Sequence, residues 1–180
     1  LIGGAIFQQL YNVVDTMIVG RFVGVDALAA VGSTGSLNFL IIGFVLGLAA
    51  GFGIPIAQAF GAREEKRMLQ TIMNAFYLCI FFSIVLTVLT HFTTETLLQW
   101  MQTPANIFKQ SYDYISIIFY GLTCTIAYNF LASVSRALGD SKTPLIFLII
   151  SSVLNVVLDL SMIINFHMGV RGAALATVIA

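Results

Sequence analysis

Long apolar segments alternate with short polar breaks along the whole chain, and this pattern predicts a bundle of membrane-spanning helices. Each complete segment has about the 20 residues that a helix needs to cross the hydrocarbon of a bilayer, and none alternates as a β-strand does. We therefore expect an all-α membrane protein with five complete transmembrane helices and the start of a sixth. The segments are 1–20, 35–60 (with a start as early as Ala27), 69–90, 112–138, 143–165 and one that begins near Val170.

The breaks between the segments contain residues that end or begin helices. Gly61 is expected to take a left-handed turn after the second segment, and Gly139 is expected to end the fourth segment in a similar way. Thr143 and Pro144 then provide an N-cap and a first helical turn for the fifth segment. The charged stretch 63–67 is excluded from lipid, so these breaks mark the ends of the predicted spans.

The loops after the second and fourth segments contain five basic residues, and the other loops contain three. This bias places those two loops in the cytoplasm. The five are Arg63, Lys66, Arg67, Arg136 and Lys142, and the three are Arg21, Lys109 and Arg171. Residues 93–109 then fall on the outer side, where they predict an interfacial loop or a short helix on the membrane surface. His91, His167 and Trp100 are also expected near the interfaces.

Composition supports a membrane setting and excludes several classes of protein. The chain of 180 residues is 59% hydrophobic and only 9% charged, whereas a soluble domain is about 25% charged. The formal net charge is zero, so there is no basic footprint for nucleic acid. Cys79 and Cys124 lie inside apolar segments without metal-ligand spacing. No HExxH, CxxC or phosphate-loop motif occurs, so we expect neither an enzyme nor an organic cofactor.

Two carboxylates lie inside predicted spans, and such residues usually face a polar interior and have a function. Asp15 and Asp159 each lie about six residues, or about 9 Å, from the outer end of their helices. Asn12 lies on the same helix face as Asp15, and Asn155 lies on the same face as Asp159. Thr177 lies at a similar depth, about 10 Å, in the sixth segment. Oxygen atoms of these side chains at one depth in the membrane can bind Na⁺. Alternatively, a carboxylate can hold a proton, because burial disfavours its charged form. Structural hydrogen bonds between helices are the alternative.

Glycines recur at every fourth position of the second segment, at Gly43, Gly47 and Gly51. A double GxxxG pattern of this kind is typical of a flat helix face against which another helix packs closely. We therefore predict a helix-packing face here. A seam along which helices slide is the alternative interpretation.

A further set of stretches is informative when they are taken in order: 10–16, 19–24, 27–32, 57–62, 135–144, 155–159, 169–174 and 176–177. Together they resemble one family of membrane proteins, the multidrug and toxic compound extrusion (MATE) transporters. The resemblance implies two six-helix lobes that export small organic cations against an inward flow of Na⁺ or H⁺. Residues 1–180 are then the amino-terminal transmembrane lobe, truncated at both ends, in a bacterial cytoplasmic membrane. Its partners are membrane lipid and the carboxy-terminal lobe of the same chain.

The resemblance also assigns a site for the coupling cation, Na⁺ or H⁺. Its implied members are Asp15, Asn155, Asp159 and Thr177, with Tyr114 as an accessory residue. Asn12 is a further accessory candidate, because it shares the helix face of Asp15. A lipid-linked saccharide flippase of the same superfamily is an alternative, but it is expected to carry basic residues in mid-helix, and none occurs here. A membrane receptor or scaffold is a further alternative, although a purely structural protein does not need two deep carboxylates at one level.

Overall fold

The computed structural model describes residues 13–180, and these residues form successive helices without any β-strand. The first helix, α1, extends to residue 22. It is followed by α2 (Val25–Gly61), α3 (Glu65–Trp100), α4 (Ala105–Tyr120), α5 (Leu122–Ala137), α6 (Lys142–Leu160), a π-helical turn (Ser161–Asn165) and α7 (Val170–Ile179). The expected all-α fold is thus confirmed for the described part of the chain.

Three helical stretches within residues 13–180 are long and apolar enough to cross a membrane. They are Val25–Gly61, Glu65–Trp100 and Lys142–Asn165. The α4–α5 pair gives a fourth span if it is counted as one helix with a bend of 46°, whereas α7 is apolar but short. The prediction of five complete spans and a sixth is not established by this count, because the first predicted segment falls largely outside the described residues.

The predicted fourth segment is not one continuous helix, because it breaks at Gly121. A Cβ atom on this glycine would lie 2.6 Å from Cγ2 of Val178, so α7 packs directly against the bare backbone at this point. The bend of 46° follows at the same position. Glycine is a common site of sharp helix bends, and here the neighbouring helix accounts for it.

Residues 93–109 were expected to form an interfacial loop, and this prediction is wrong. The α3 helix continues to Trp100 and α4 begins at Ala105, so the connection is only 101–104. The reason is that Thr94 donates a hydrogen bond to the carbonyl of Thr90 within the helix, and Leu98 is fully buried. The buried face of α3 therefore continues past the predicted break.

The turn after α2 also differs from the prediction. Gly61 is the last helical residue, and the left-handed position is taken by Arg63, with φ of 58°. The amide of Glu64 then donates back to the carbonyl of Ala59 at 3.0 Å, which closes the helix end. Gly139, in contrast, has φ of 91° immediately after α5, as its sequence position predicts.

The start of α6 is capped by Asp140 rather than by Thr143. One carboxylate oxygen of Asp140 accepts hydrogen bonds from the backbone amides of Lys142 and Thr143, both at 3.0 Å. Hydrogen bonds from the Thr143 side chain and backbone, together with the Lys142 amide and charge, lower the pKa of Asp140. The helix therefore begins at Lys142, before the predicted N-cap, and Asp140 satisfies two of the free amide groups in its first turn.

The central helix, α2, packs on α3, α4 and α5, while α7 packs on α4 and α6. Helix α2 approaches α5 closely at Gly53, where a Cβ atom would lie 2.6 Å from Oγ of Ser133. That hydroxyl donates a hydrogen bond of 2.6 Å to the carbonyl of Ala49. This contact therefore depends on the missing side chain at Gly53.

The predicted glycine face of α2 is not the face that contacts α5. Gly43, Gly47 and Gly51 are exposed, and a Cβ atom on any of them would meet nothing within 4 Å. The reason is that they lie on the side of the helix opposite the buried residues Val45 and Ile56. The predicted close packing is therefore not found among the described helices.

Candidate cation site

The centre of the candidate site is a pair of polar residues on α6. Asp159 is 0% exposed and Asn155, one helical turn earlier, is 1% exposed. Both lie on the inner face of an otherwise apolar helix, because a spacing of four residues places side chains on the same side. Asp159 is also the last residue but one of α6, so the π-turn Ser161–Asn165 begins two positions later.

Asp15 reaches the same place from α1. Its side chain is only 7% exposed, and its carboxyl group lies within hydrogen-bonding reach of the carboxyl group of Asp159. The prediction that both carboxylates point into the bundle is therefore confirmed. Spacing along the sequence could not establish that the two carboxyl groups lie so near each other.

The third helix at the site is α7. The Nδ2 group of Asn155 donates a hydrogen bond of 3.4 Å to Oγ1 of Thr177, and that hydroxyl in turn donates to the carbonyl of Ala173 at 3.0 Å. The helices approach closely because of Gly172, where a Cβ atom would lie 3.1 Å from Cβ of Met162 in the π-turn. The prediction that Asn155 and Thr177 are neighbours is thus confirmed.

Four oxygen atoms of this group lack hydrogen-bond donors. Oδ1 of Asp15, Oδ1 of Asn155 and both carboxylate oxygens of Asp159 are buried and receive no hydrogen bond from any donor group in residues 13–180. A hydrogen bond between the two carboxyl groups requires a proton on one of them, because a carboxylate can only accept. Neither carboxylate forms an ion pair with a basic side chain of the described chain.

Such an arrangement attracts a cation. Two adjacent buried carboxylates repel one another, and a buried charge without compensation is costly. A proton held between the carboxyl groups removes one of the charges. A bound Na⁺ would be held by the carboxylate and amide oxygens of Asp15, Asn155 and Asp159 and by the hydroxyl of Thr177, which are ligand types that suit a hard cation. No group of three or more His, Cys, Asp or Glu side chains able to hold a metal occurs within the described residues.

The two accessory residues have different outcomes. Tyr114 is 6% exposed and lies in the hydrophobic core on α4, so it is buried, and its role stays a prediction. Asn12 lies outside the described residues.

Sequence reasoning missed two polar features near the outer ends of the helices. Arg171 at the start of α7 forms an ion pair of 2.9 Å with Asp113 on α4, and no local pattern connects residues so far apart. The second feature is a row of hydroxyl residues on α3 at positions 83, 87, 90 and 94. Their helical spacing was visible in the sequence and could have identified the row.

These observations define a polytopic helical membrane protein with a buried acidic pair between its first helix and α6. The chain belongs to the MatE family, because the family model of that description matches residues 1–161. The apolar helices, the family match and the bacterial relatives place the chain in a bacterial inner membrane as an integral membrane protein. Membership also indicates a transporter rather than an enzyme at the level of the family.

Relatives cover the chain almost completely, although the chain covers only part of each relative. It is 36% identical over 179 residues to "Probable multidrug resistance protein YoeA" of Bacillus subtilis (strain 168), covering 97% of this chain and 39% of the relative. It is 34% identical to "Probable multidrug resistance protein YpnP" of the same strain, covering 100% of this chain and 40% of the relative. The chain therefore spans about two fifths of the length of these proteins.

Solved structures agree with this assignment. An outward-facing multidrug resistance MATE family transporter matches with a TM-score of 0.92 at 27% identity, over 98% of this chain and 39% of that one. An inward-facing conformation of such a transporter matches with a TM-score of 0.89, also at 27% identity, over 96% of this chain and 39% of that one. This chain is therefore similar to the corresponding part of both structures.

Proposed function

We propose that the full-length protein is an antiporter that exports small organic cations in exchange for Na⁺ or H⁺, and that the buried acidic pair carries the coupling cation. The observation that carries this proposal is the contact between the carboxyl groups of Asp15 and Asp159, whose buried oxygens lack donors. The names of the relatives, which describe multidrug resistance, support the class of substrate. Asn155 and Thr177 complete the proposed site.

Coupling follows from the charge at the site. Without a cation, the carboxylates of Asp15 and Asp159 repel each other across the α1–α6 contact. Arrival of H⁺ or Na⁺ from outside neutralises the pair and allows the two helices to pack together. Coupling requires only that the ion and the substrate favour different states of the protein, and each then weakens the binding of the other. The organic cation is released outward as the ion moves inward.

The substrate cavity in this proposal is shared with the carboxy-terminal lobe of the same chain, and lipid surrounds both lobes. The exposed apolar side chains of α2 and α3 suit such neighbours, since Phe39 is 82% and Phe92 is 76% exposed. Recognition of a hydrophobic cation requires apolar and aromatic surface together with a negative charge, and the acidic pair supplies that charge.

The test is transport by the full-length protein in lipid vesicles, followed with a fluorescent organic cation. Asp159→Asn keeps the shape of the side chain but cannot ionise, so gradient-driven efflux should fall at least about tenfold, the equivalent of about 1.4 kcal/mol. Asp26→Asn is the matched control, because Asp26 is exposed in the first turn of α2, and it should export at the wild-type rate. Wild-type efflux by Asp159→Asn under the same gradient would remove Asp159 from the mechanism.

The same vesicles distinguish the two ions. A pH gradient imposed without Na⁺ drives efflux if the carried ion is H⁺, and a Na⁺ gradient at equal pH drives it if the ion is Na⁺. A protein that moved lipid-linked saccharide and ignored organic cations under both gradients would be a flippase, and the proposed function would be wrong.

A further inference from the structure

A row of hydroxyl side chains lies on the inner face of α3, away from the acidic pair. Ser83, Thr87, Thr90 and Thr94 follow one another at spacings of three and four residues, which places them on one side of the helix. Ser83 is 6% exposed, and Thr90 and Thr94 are each 2% exposed. Hydroxyl groups inside a membrane-spanning helix need hydrogen-bond partners, because lipid offers none.

Three of the four hydroxyl groups have partners. Ser83 donates to Oγ1 of Thr123 on α5 at 2.8 Å. Thr90 donates to the carbonyl of Leu86 at 2.8 Å, and Thr94 donates to the carbonyl of Thr90. The hydroxyl of Thr87 is different, since Oγ1 is buried and has no hydrogen-bond partner within residues 13–180. Leaving such a group unpaired costs about 1–3 kcal/mol.

The Thr87 hydroxyl opens onto a cavity of about 10 Å³ between α3 and α4. The polar residues that line it are Thr87, Thr90, His91 and Thr94 from α3 and Ser116 and Tyr120 from α4. At its edge the Tyr120 hydroxyl and Nδ1 of His91 form a hydrogen bond of 2.8 Å that joins the two helices. The volume is at the lower end of what one water molecule occupies.

We propose that this cavity is a binding site for a single structural water molecule, which links the outer halves of α3 and α4. The water accepts a hydrogen bond from Thr87. It donates to the hydroxyl oxygens of Thr90 or Thr94, whose lone pairs are free to accept because their protons are already used within the helix. Ser116 offers a further partner from α4. Two to four polar partners are what a buried water requires.

The lining selects water over an alkali cation of similar size. No Asp, Glu, Lys or Arg side chain lines the cavity. A cation would therefore stay uncompensated in a region of low dielectric constant, whereas a neutral water carries no such cost. His91 and Tyr120 are the two titratable groups at the cavity, and they are bonded to each other.

The test is a structure of the full-length protein at a resolution that orders buried waters. A single peak should lie about 2.6–3.2 Å from Oγ1 of Thr87. In Thr87→Val, which keeps the side-chain shape, the peak should disappear. Thr93→Val is the matched control, and the peak should remain. Thr93 is partly exposed on the same helix, and its hydroxyl donates to the carbonyl of Leu89 at 2.8 Å.

Two results would overturn this assignment. One is the absence of a peak beside Thr87 in the wild-type protein while other buried waters are ordered. The other is an anomalous scattering peak at this position in crystals soaked with Rb⁺, which would show an alkali-cation site. The wild-type structure alone decides both outcomes, so they do not depend on whether the Thr87 variant folds.

Discussion

The contact between α2 and α5 at Gly53 can be tested by adding one methyl group. In Gly53→Ala the new Cβ atom would lie 2.6 Å from Oγ of Ser133, closer than real Cβ contacts come. The hydroxyl cannot move away without weakening its 2.6 Å hydrogen bond to the carbonyl of Ala49. Overpacking of this kind costs about 1–3 kcal/mol, and the weakened hydrogen bond adds about 1 kcal/mol. Alanine is favoured over glycine in a helix by about 1 kcal/mol, which offsets part of this cost. We therefore expect a net loss of about 1–3 kcal/mol in the free energy of unfolding.

Gly47→Ala is the matched control, because Gly47 lies in the same helix and a Cβ atom there would meet nothing within 4 Å. Alanine is favoured over glycine in a helix by about 1 kcal/mol, so this variant should equal or exceed the wild-type stability. Combining Gly53→Ala with Ser133→Ala removes the clashing hydroxyl and should restore part of the loss. The measurement is denaturant unfolding of the purified full-length protein in detergent micelles.

Two results would refute the reasoning. If Gly53→Ala were as stable as the wild type, the close approach of α5 would not be a constraint. If the double variant were no more stable than Gly53→Ala, the clash would not involve Ser133. A loss of stability in Gly47→Ala would show instead that another part of the full-length protein covers the exposed glycine face.

Two further predictions concern the end of α2 and the start of α6. Arg63→Gly should raise the free energy of unfolding by up to about 1 kcal/mol. The reason is that a left-handed φ of 58° is costly for arginine but not for glycine. An unchanged denaturation midpoint would contradict this prediction. Asp140→Ala should lower the melting temperature above pH 5, because it removes the cap of α6, whereas Asp140→Asn should retain most of it. The pKa of Asp140 is lowered on folding, so the stabilisation by its carboxylate is present above the usual pKa of 3.8 and is lost as the pH falls through the folded value. The difference in melting temperature between wild type and Asp140→Ala should therefore shrink at acid pH, and a constant difference would contradict the role of its charge.

The sequence was informative about what burial in a membrane requires. Asp15 and Asp159 were predicted to face inward because a charge in lipid is costly, and both are buried. The span ending at Asn165 was predicted from its length and apolar residues, and the structure confirms it within one residue at its start. These predictions depend on single helices and on the properties of lipid, so no neighbouring helix had to be known.

Several of the predictions that failed depend on which helices are neighbours. The glycine pattern at Gly43 indicated a packing face, yet the pattern does not say which side of α2 meets α5, and Gly53 makes that contact. The break at Gly121 follows from the approach of Val178, which is 57 positions later in the sequence. Likewise, the extension of α3 to Trp100 rests on tertiary burial of Leu98 rather than on local polarity. Information of this kind is absent from a single chain segment.

The π-turn Ser161–Asn165 has a consequence for the acidic pair. Each turn of π-helix holds one residue more than an α-helical turn, so the chain beyond it is out of phase with α6 by about 100°. The π-turn therefore fixes the rotational position of Asp159 relative to the loop that leads to α7. A change of this turn to α-helical hydrogen bonding would alter that position through a segment of only five residues.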